Sequence, residues 1–400
     1  VVSVQTARDI VLEAVGRLDA ETRPVERALG YFVSGTVVSP SDVPPFDNSA
    51  MDGFALRSSE TRSARPGASV RLRIIGTTRA GDAEAPSPGI GECISIMTGA
   101  SIPPPADAVV KIEDVELTDS CIVIKEPVPA GDNIRKAGED IKESDILLSP
   151  GARIRPQEMG VLASLGIASV GVIRKPTVTV LTTGDELVGI DEPLTPGKIR
   201  DSNRYSLSGL LSGLGCRTIL PEIIPDVKDR MDDAFREALK NSDMVLSTGG
   251  VSMGKYDLVR ETISSIGKVE FWKVNMKPGK PLLFATAQGR PVFGLPGNPV
   301  SCMVSFELFV RPALLKMMGS RILFRDELEA RLASSLSKKK GRAEFKRGRM
   351  WREGGTLFVN AAGPQGSGIL TSLVKANCLV RLPEEAEDPA AGENVSVIPI

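Results

Sequence analysis

Between residues 176 and 325 short apolar runs alternate with longer stretches of helical period, and this alternation limits the fold more than any other feature. TVTVLTTG, RTILPEII, MVLSTGG and PVFGLPG read as strands or strand ends. NRYSLSGLLSGLG, VKDRMDDAFREALKN, LVRETISSIG and PVSCMVSFELFVRPALLKMMG read as the helices that follow them. Strands and helices alternating at this length predict an α/β unit with a largely parallel sheet. On such sheets ligands bind beyond the carboxyl ends of the strands.

Three loops at or beside those ends are suited to anions. STGGVSMGKYD (247–257) leaves a strand and enters a helix without matching either standard nucleotide fingerprint. A flexible turn would explain it, but successive small and hydroxyl residues favour a backbone nest for phosphate, with Gly249, Gly250 and Ser252 as candidates. Asp257 follows one turn later, where it could meet a Mg²⁺ on the same phosphate. GLPGNPVS (294–301) places Asn298 as an N-cap and Pro299 as the first helical residue, and the helix dipole favours an anion near Ser301. KPGKP (277–281) sets Lys277 and Lys280 three apart on a stiff turn. A solvated hairpin tip is the plainer reading, yet two fixed ammonium groups make a dianion site. TTGDELVG and KIRDSNRY end strand-like runs with carboxylates, so Asp185, Glu186 and Asp201 are candidates for a hard cation. Asp201 also reads as a helix N-cap.

Composition removes whole classes of chemistry. The chain has no histidine, which excludes Ser-His-Asp and Cys-His catalysis and leaves carboxylates, lysines, arginines, hydroxyls and metal ions. Its 49 basic and 50 acidic residues argue against a general nucleic-acid binder. The one dense basic run, KKKGRAEFKRGR (338–349), reads at Lys338, Lys339 and Lys340 as a solvated loop. Five scattered cysteines without a CxxC predict reduced thiols in the cytoplasm. No run of 18 apolar residues occurs, so no membrane span is expected. The N-terminal residues enter an amphipathic pattern directly, without the shape of a signal peptide.

Outside the α/β unit the texture changes twice. Ala7, Ile10, Val11, Ala14, Val15 and Leu18 fall on one helical face, with Ser3 as N-cap. Residues 156–165 read as a second helix, expected to pack with the first. Between them, Gly- and Pro-split runs such as VRLRIIG, CISIMTG and CIVIKEPV predict an inserted β-rich domain. After residue 325, EFKRGRMW, TLFVNA, NCLVRL and NVSVIPI are short strands of a compact β domain. The expected division is a helical and linker stalk (1–44 and 146–175), an inserted β-rich domain (45–145), an α/β domain (176–325) and a C-terminal β domain (326–400).

PPFDNSAMDGFAL, MTGASIPPPADAVV, GDNIRKAGEDI, LTTGDEL, IRDSN, STGGVSMGKYD, KPGKP and GLPGNPVS, with FKRG and GPQGSG in the tail, resemble in this order the molybdopterin molybdenumtransferase family. This is the MoeA type, also seen in the gephyrin E domain and its plant counterpart. The resemblance covers essentially the whole chain. It implies an elongated four-domain subunit of class α/β plus β, with a Rossmann-like (MogA-like) α/β domain and a C-terminal β-barrel. It implies insertion of molybdate into adenylylated molybdopterin with Mg²⁺, release of AMP, and a homodimer. By the same resemblance Lys277, Lys280, Arg347 and Ser367 hold molybdate or the adjoining phosphate, and Pro296, Pro299 and Ser301 shape the pocket. Asp52, Thr98, Asp140, Glu186, Asp226 and Asp257 match polar positions that line the cleft or serve the metal. Asp52 and Asp140 are expected to reach the partner's cleft. Lys255 and Gly368 depart from the family pattern, the latter where histidine is frequent. Two other readings stand beside this one: a molybdopterin adenylyltransferase, and a dimeric scaffold that presents a groove to a peptide. The adenylyltransferase is also a candidate partner, and tungstate is a candidate substrate of equal shape and charge.

Overall fold

The computed structural model describes residues 1–249 and 258–400. The α/β unit holds a six-stranded sheet in the order Arg217–Ile219, Thr177–Thr182, Met244–Thr248, Arg290–Leu295, Leu283–Ala287 and Lys268–Trp272. The first four strands run parallel, and the last two join antiparallel. The sheet is largely parallel, as expected, with two antiparallel strands at one edge. Gln288 and Gly289 both take positive φ, 51° and 74°, which makes the two-residue hairpin turn that reverses the chain there.

Alternation along Thr177–Thr182 sends Val178 and Val180 into one core and Leu181 into another. Helices Lys228–Asn241 and Leu258–Ile266 cover the second core with Met231, Phe235 and Ile263. The first core continues into the long apolar segment after Pro299, expected to be one helix. It is one unbroken helical run, Pro299–Ser305, Phe306–Val310 and Arg311–Met317, whose middle segment is a π turn. Pro312 has no N–H for the carbonyl of Leu308, and that carbonyl accepts from Nε of Arg8 at 3.3 Å.

The N-terminal helix Val4–Ala14 is capped as expected, with Ser3 Oγ accepting from the N–H of Thr6 at 3.0 Å. Its buried face, Ala7 and Val11, belongs to the α/β core. Helix Pro156–Ser164 buries Leu162 in a separate core with Val25, Val33, Leu148 and Val172. The two helices thus do not share a core as expected, because the apolar segment 306–318 offers the first a larger face. The stalk is also less helical than predicted: Ala20–Pro24, Ser169–Ile173 and Phe32–Val33 form a three-stranded antiparallel sheet.

The inserted β region is a six-stranded sheet in the order Ala108–Lys111, Gly53–Leu56, Glu92–Ile96, Val70–Thr78, Cys121–Ile124, Glu116–Leu117. Its entry and exit lie side by side, where Val38 pairs with Ile146. At the C-terminal end, Ala343–Glu353, Thr356–Ala361, Leu328–Leu332, Asn394–Pro399 and Cys378–Leu382 pair in that order, and the last pairs back with the first. That closure makes a five-stranded barrel without free edges. Lys338, expected in solvent, is 2% exposed and donates Nζ to the carbonyls of Lys339, Glu384 and Ala386. No described helix is long and apolar enough to cross a membrane.

Candidate functional site

A cavity of about 700 Å³ lies beyond the carboxyl ends of the parallel strands. Strand-end loops of the α/β unit form most of it, and Arg342, Gln365, Gly366 and Ser367 of the barrel complete it. Four cations border it, Lys277, Lys280, Arg200 and Arg342, against two carboxylates, Glu186 and Asp201. The balance favours an anionic ligand.

The KPGKP loop forms the cationic wall. Gly279 takes φ +100°, and a Cβ there would lie 2.6 Å from Met276 Cε and 2.8 Å from Ser305 Oγ, so only glycine fits. Met276–Lys277 pairs in parallel with Ala343–Glu344 and thereby anchors the loop to the barrel. Lys277 Nζ donates to Glu344 Oε1 at 3.2 Å, and Lys346 Nζ lies 2.9 Å from Glu344 Oε2. Burial alone would raise the Glu344 carboxyl, but the Lys346 and Lys277 ammonium groups outweigh it and hold the carboxyl below its usual range. Lys280 is exposed and makes no ion pair among the described residues.

The opposite wall is rich in oxygen. Asn203 donates Nδ2 to Thr248 Oγ1 and to the carbonyl of Gly297, both at 2.7 Å. Gly297 O can only accept, so the amide nitrogen is fixed toward it and Oδ1 is left without a protein partner. Thr182 Oγ1, Thr183 Oγ1 and Asp201 Oδ2 are likewise buried and unpartnered. All four residues line the cavity and are at least nine-tenths buried. Asp201 Oδ1 accepts from the N–H of Arg204 at 3.0 Å, so the residue is also the helix cap that the sequence suggested. Gly249 takes φ +99° with its Cα against the position a Gly297 Cβ would hold, and closes this wall. Asn203 could be read from sequence only as part of a cap, and Thr182 and Thr183 only as a strand end. Arg200, Arg342 and Gln365 carried no separate signal.

Of the residues expected in the site, Glu186, Asp201, Gly249, Lys277, Lys280, Pro296, Pro299, Ser301 and Ser367 line this one cavity. Ser367 is held by Asn298 Nδ2 at 3.1 Å, and its carbonyl accepts from the N–H of Val300 at 3.1 Å. Arg347 stands behind the loop, 1% exposed, and does not line the cavity. Its guanidinium donates to Ser372 Oγ and to the carbonyls of Pro364 and Gly366. Those bonds fix the segment that carries Ser367 and leave Arg347 a positioning role. Asp226 lies outside the lining, and its N–H donates to Asp185 Oδ1 at 3.1 Å. Asp52 and Thr98 form an exposed pair in the inserted region, with Asp52 Oδ1 accepting from Thr98 N–H at 2.7 Å and Oγ1 at 2.8 Å. Those bonds from Thr98 hold the Asp52 carboxyl below its usual range. Asp140 is exposed there too, and none of the three lines the cavity of its own chain. Gly250, Ser252 and Asp257 lie outside the described residues. No cluster of three or more carboxylates or thiols converges among the described residues.

Comparison with known proteins matches three family regions in order: the MoeA N-terminal region (domain I and II) over residues 2–166, a probable molybdopterin binding domain over 179–316, and the MoeA C-terminal region (domain IV) over 329–400. A molybdopterin molybdenumtransferase of Haemophilus influenzae is 38% identical over 378 residues, 94% of this chain and 92% of the relative. One of Staphylococcus aureus is 34% identical, covering 99% of this chain and 95% of the relative. Two solved structures of the molybdopterin biosynthesis MoeA protein of Pyrococcus horikoshii are similar throughout. They superpose with TM-scores of 0.84 and 0.86 at 34% and 32% identity; each covers 100% of this chain, and 99% and 100% of the solved chain.

Proposed function

The chain belongs to the MoeA family of molybdopterin molybdenumtransferases, and from that premise we propose that it inserts molybdate into adenylylated molybdopterin and releases AMP. It is a transferase of molybdenum cofactor biosynthesis. The observation that carries the detailed reading is the two-sided cavity, with ammonium groups on one wall and unpartnered oxygens on the other. Molybdate is a dianion and the phosphoanhydride of the adenylylated pterin is negative as well. Bringing them together costs Coulomb energy unless cations surround both. Lys280, free of an ion pair among the described residues, and Lys277, shared with Glu344, supply that charge from a rigid loop. Ser367 and the turn at Pro296, Pro299 and Ser301 set the place of the oxyanion, with Arg347 bracing the loop from behind. Tungstate, of the same charge and shape, would meet the same groups.

The residues present suit Mg²⁺, because Glu186 and Asp201 front the cavity, all local donors are oxygens, and Asp201 Oδ2 has no protein partner. Two carboxylates plus substrate phosphates is a usual set for this ion, with Asp226 and, by the resemblance alone, Asp257 as further candidate donors. Bound there, Mg²⁺ supplies charge neutralisation over the phosphates. Asp52, Thr98 and Asp140 are assigned to the cavity of a partner copy in a homodimer. Support comes from the exposed apolar side chains beside Asp52 and Thr98, Met51, Met97 and Ile112, which suit a covered surface. The step consumes the product of a molybdopterin adenylyltransferase, a candidate for direct hand-over. Five cysteines without a disulfide suit the cytoplasm.

The test is molybdate-dependent AMP release from adenylylated molybdopterin. K280A should lower the rate on the order of a hundred-fold, as loss of a charged transition-state contact does. An unchanged rate in folded K280A removes the lysine wall from the reaction. The adenylyltransferase reading is not favoured, since MoeA relatives match the full length. Formation of adenylylated pterin from ATP and molybdopterin would reverse that judgement.

A further inference from the structure

Lys277 stands on the wall of the cavity, yet its ammonium group is already engaged, with Nζ 3.2 Å from Glu344 Oε1. An ammonium neutralised by a carboxylate adds little field for an incoming dianion. The pairing has a third member. Strand Ala343–Glu353 carries Glu344 and Lys346 two residues apart, and so on one face. Lys346 Nζ takes the other oxygen, Glu344 Oε2, at 2.9 Å, the shorter of the two contacts. The strand register sets Lys277 opposite Glu344, where Met276–Lys277 pairs with the barrel.

The two lysines are placed differently. The Lys346 side chain is 10% exposed, lies outside the cavity lining and makes no other ion pair among the described residues. That of Lys277 is 50% exposed and lines the cavity. The Glu344 side chain is 6% exposed, and a carboxylate so buried is strongly destabilising once left without a cation. With Lys346 in place, Glu344 stays paired when Lys277 departs. Two ammonium groups against one carboxylate leave one positive charge in excess, and the lysine with its flexible stem at the cavity is the one able to deliver it. Without Lys346 the charges cancel, and departure of Lys277 strands a buried carboxylate.

We propose that Lys277 is an exchangeable cation: when the oxyanion arrives, Lys277 passes from Glu344 to the ligand, and Lys346 is the positioning residue that permits this by keeping Glu344 paired. Lys280 is the standing charge of the wall, and Lys277 the recruited one. The ligand, a tetrahedral dianion, is taken from the reaction proposed above.

Molybdate is titrated calorimetrically into the full chain, and its KM is read from AMP release. K346M keeps much of the side chain's bulk and removes its charge, so Lys277 should be held on Glu344. Molybdate affinity should fall, and KM rise, about ten-fold, the scale of one charge-assisted contact. The kcat at saturating molybdate should stay as it was, the pattern of lost uniform binding. In folded protein a merely structural Lys346 would leave molybdate affinity unmoved. E344Q/K346M removes the carboxylate that detains Lys277, and affinity should return to the wild-type value or above it. If K346M alone loses cooperative urea unfolding, the double variant against wild type decides, and a ten-fold weaker double variant overturns the proposal. Equal molybdate affinity in K346M and wild type also overturns it, as does a wild-type chain that binds no molybdate. Wild-type chain that binds molybdate but releases no AMP would strike the reaction, while the calorimetric series still decides the exchange.

Discussion

Asn203 shows how much one amide can fix. It joins three segments distant in sequence: its own helix start, the strand end at Thr248 and the turn at Gly297. Asn203→Ala removes two buried bonds and is expected to cost about 1–3 kcal/mol, measured by urea unfolding. The same variant should lose AMP release beyond what its stability accounts for. Glu344 acts on the other wall. Its carboxyl is held low by two ammonium groups, so its contribution to stability is present above the pKa of an unfolded glutamate, about 4.3. It is lost as pH falls through the lower folded value. Glu344→Gln should therefore flatten the acid limb of the stability curve below about pH 4. At neutral pH it should destabilise by about 3–5 kcal/mol, because Lys346 stays nearly buried without its partner. An unaltered acid limb would remove the triad from the account.

At the level of elements, the loops outrank the strands that carry them. Gly279→Ala places a methyl against Met276 and Ser305 at positive φ, and is expected to cost about 1–3 kcal/mol. It should also raise the KM for molybdate, since Lys277 and Lys280 flank that residue. Much of this level was readable in advance. The strand and helix periods of Thr177–Thr182, Asn203–Leu214 and Lys228–Asn241 are local, and so is the glycine and proline chemistry of the loops. The hairpin at Gln288 and Gly289 was missed, because glutamine is uncommon at positive φ. The π turn was missed as well, since its cause lies partly in Arg8 from the other end of the chain. Lys338 looked like part of a solvated run because nothing in its neighbours reveals the carbonyls of Glu384 and Ala386. Motif residues pointed to side chains that line one cavity, but not to Arg347 bracing a loop behind it or to Thr182 and Thr183 on its wall.

For the whole molecule, the division of labour between copies is the open test. If Asp52 serves the partner's cavity, mixing inactive D52N with inactive K277A protein should restore up to a quarter to a half of the activity per cavity, through hybrid dimers. No recovery after subunit exchange, shown by gel filtration of tagged copies, would return both residues to separate roles.

The barrel loop that bears Gln365 and Ser367 is stitched onto the turn at Asn298 and Val300, and the barrel itself closes only when Asn394–Pro399 pairs with its neighbours. One wall of the cavity thus stands only while Asn394–Pro399 completes the barrel, so loosening that distant strand should slacken the loop that presents Ser367.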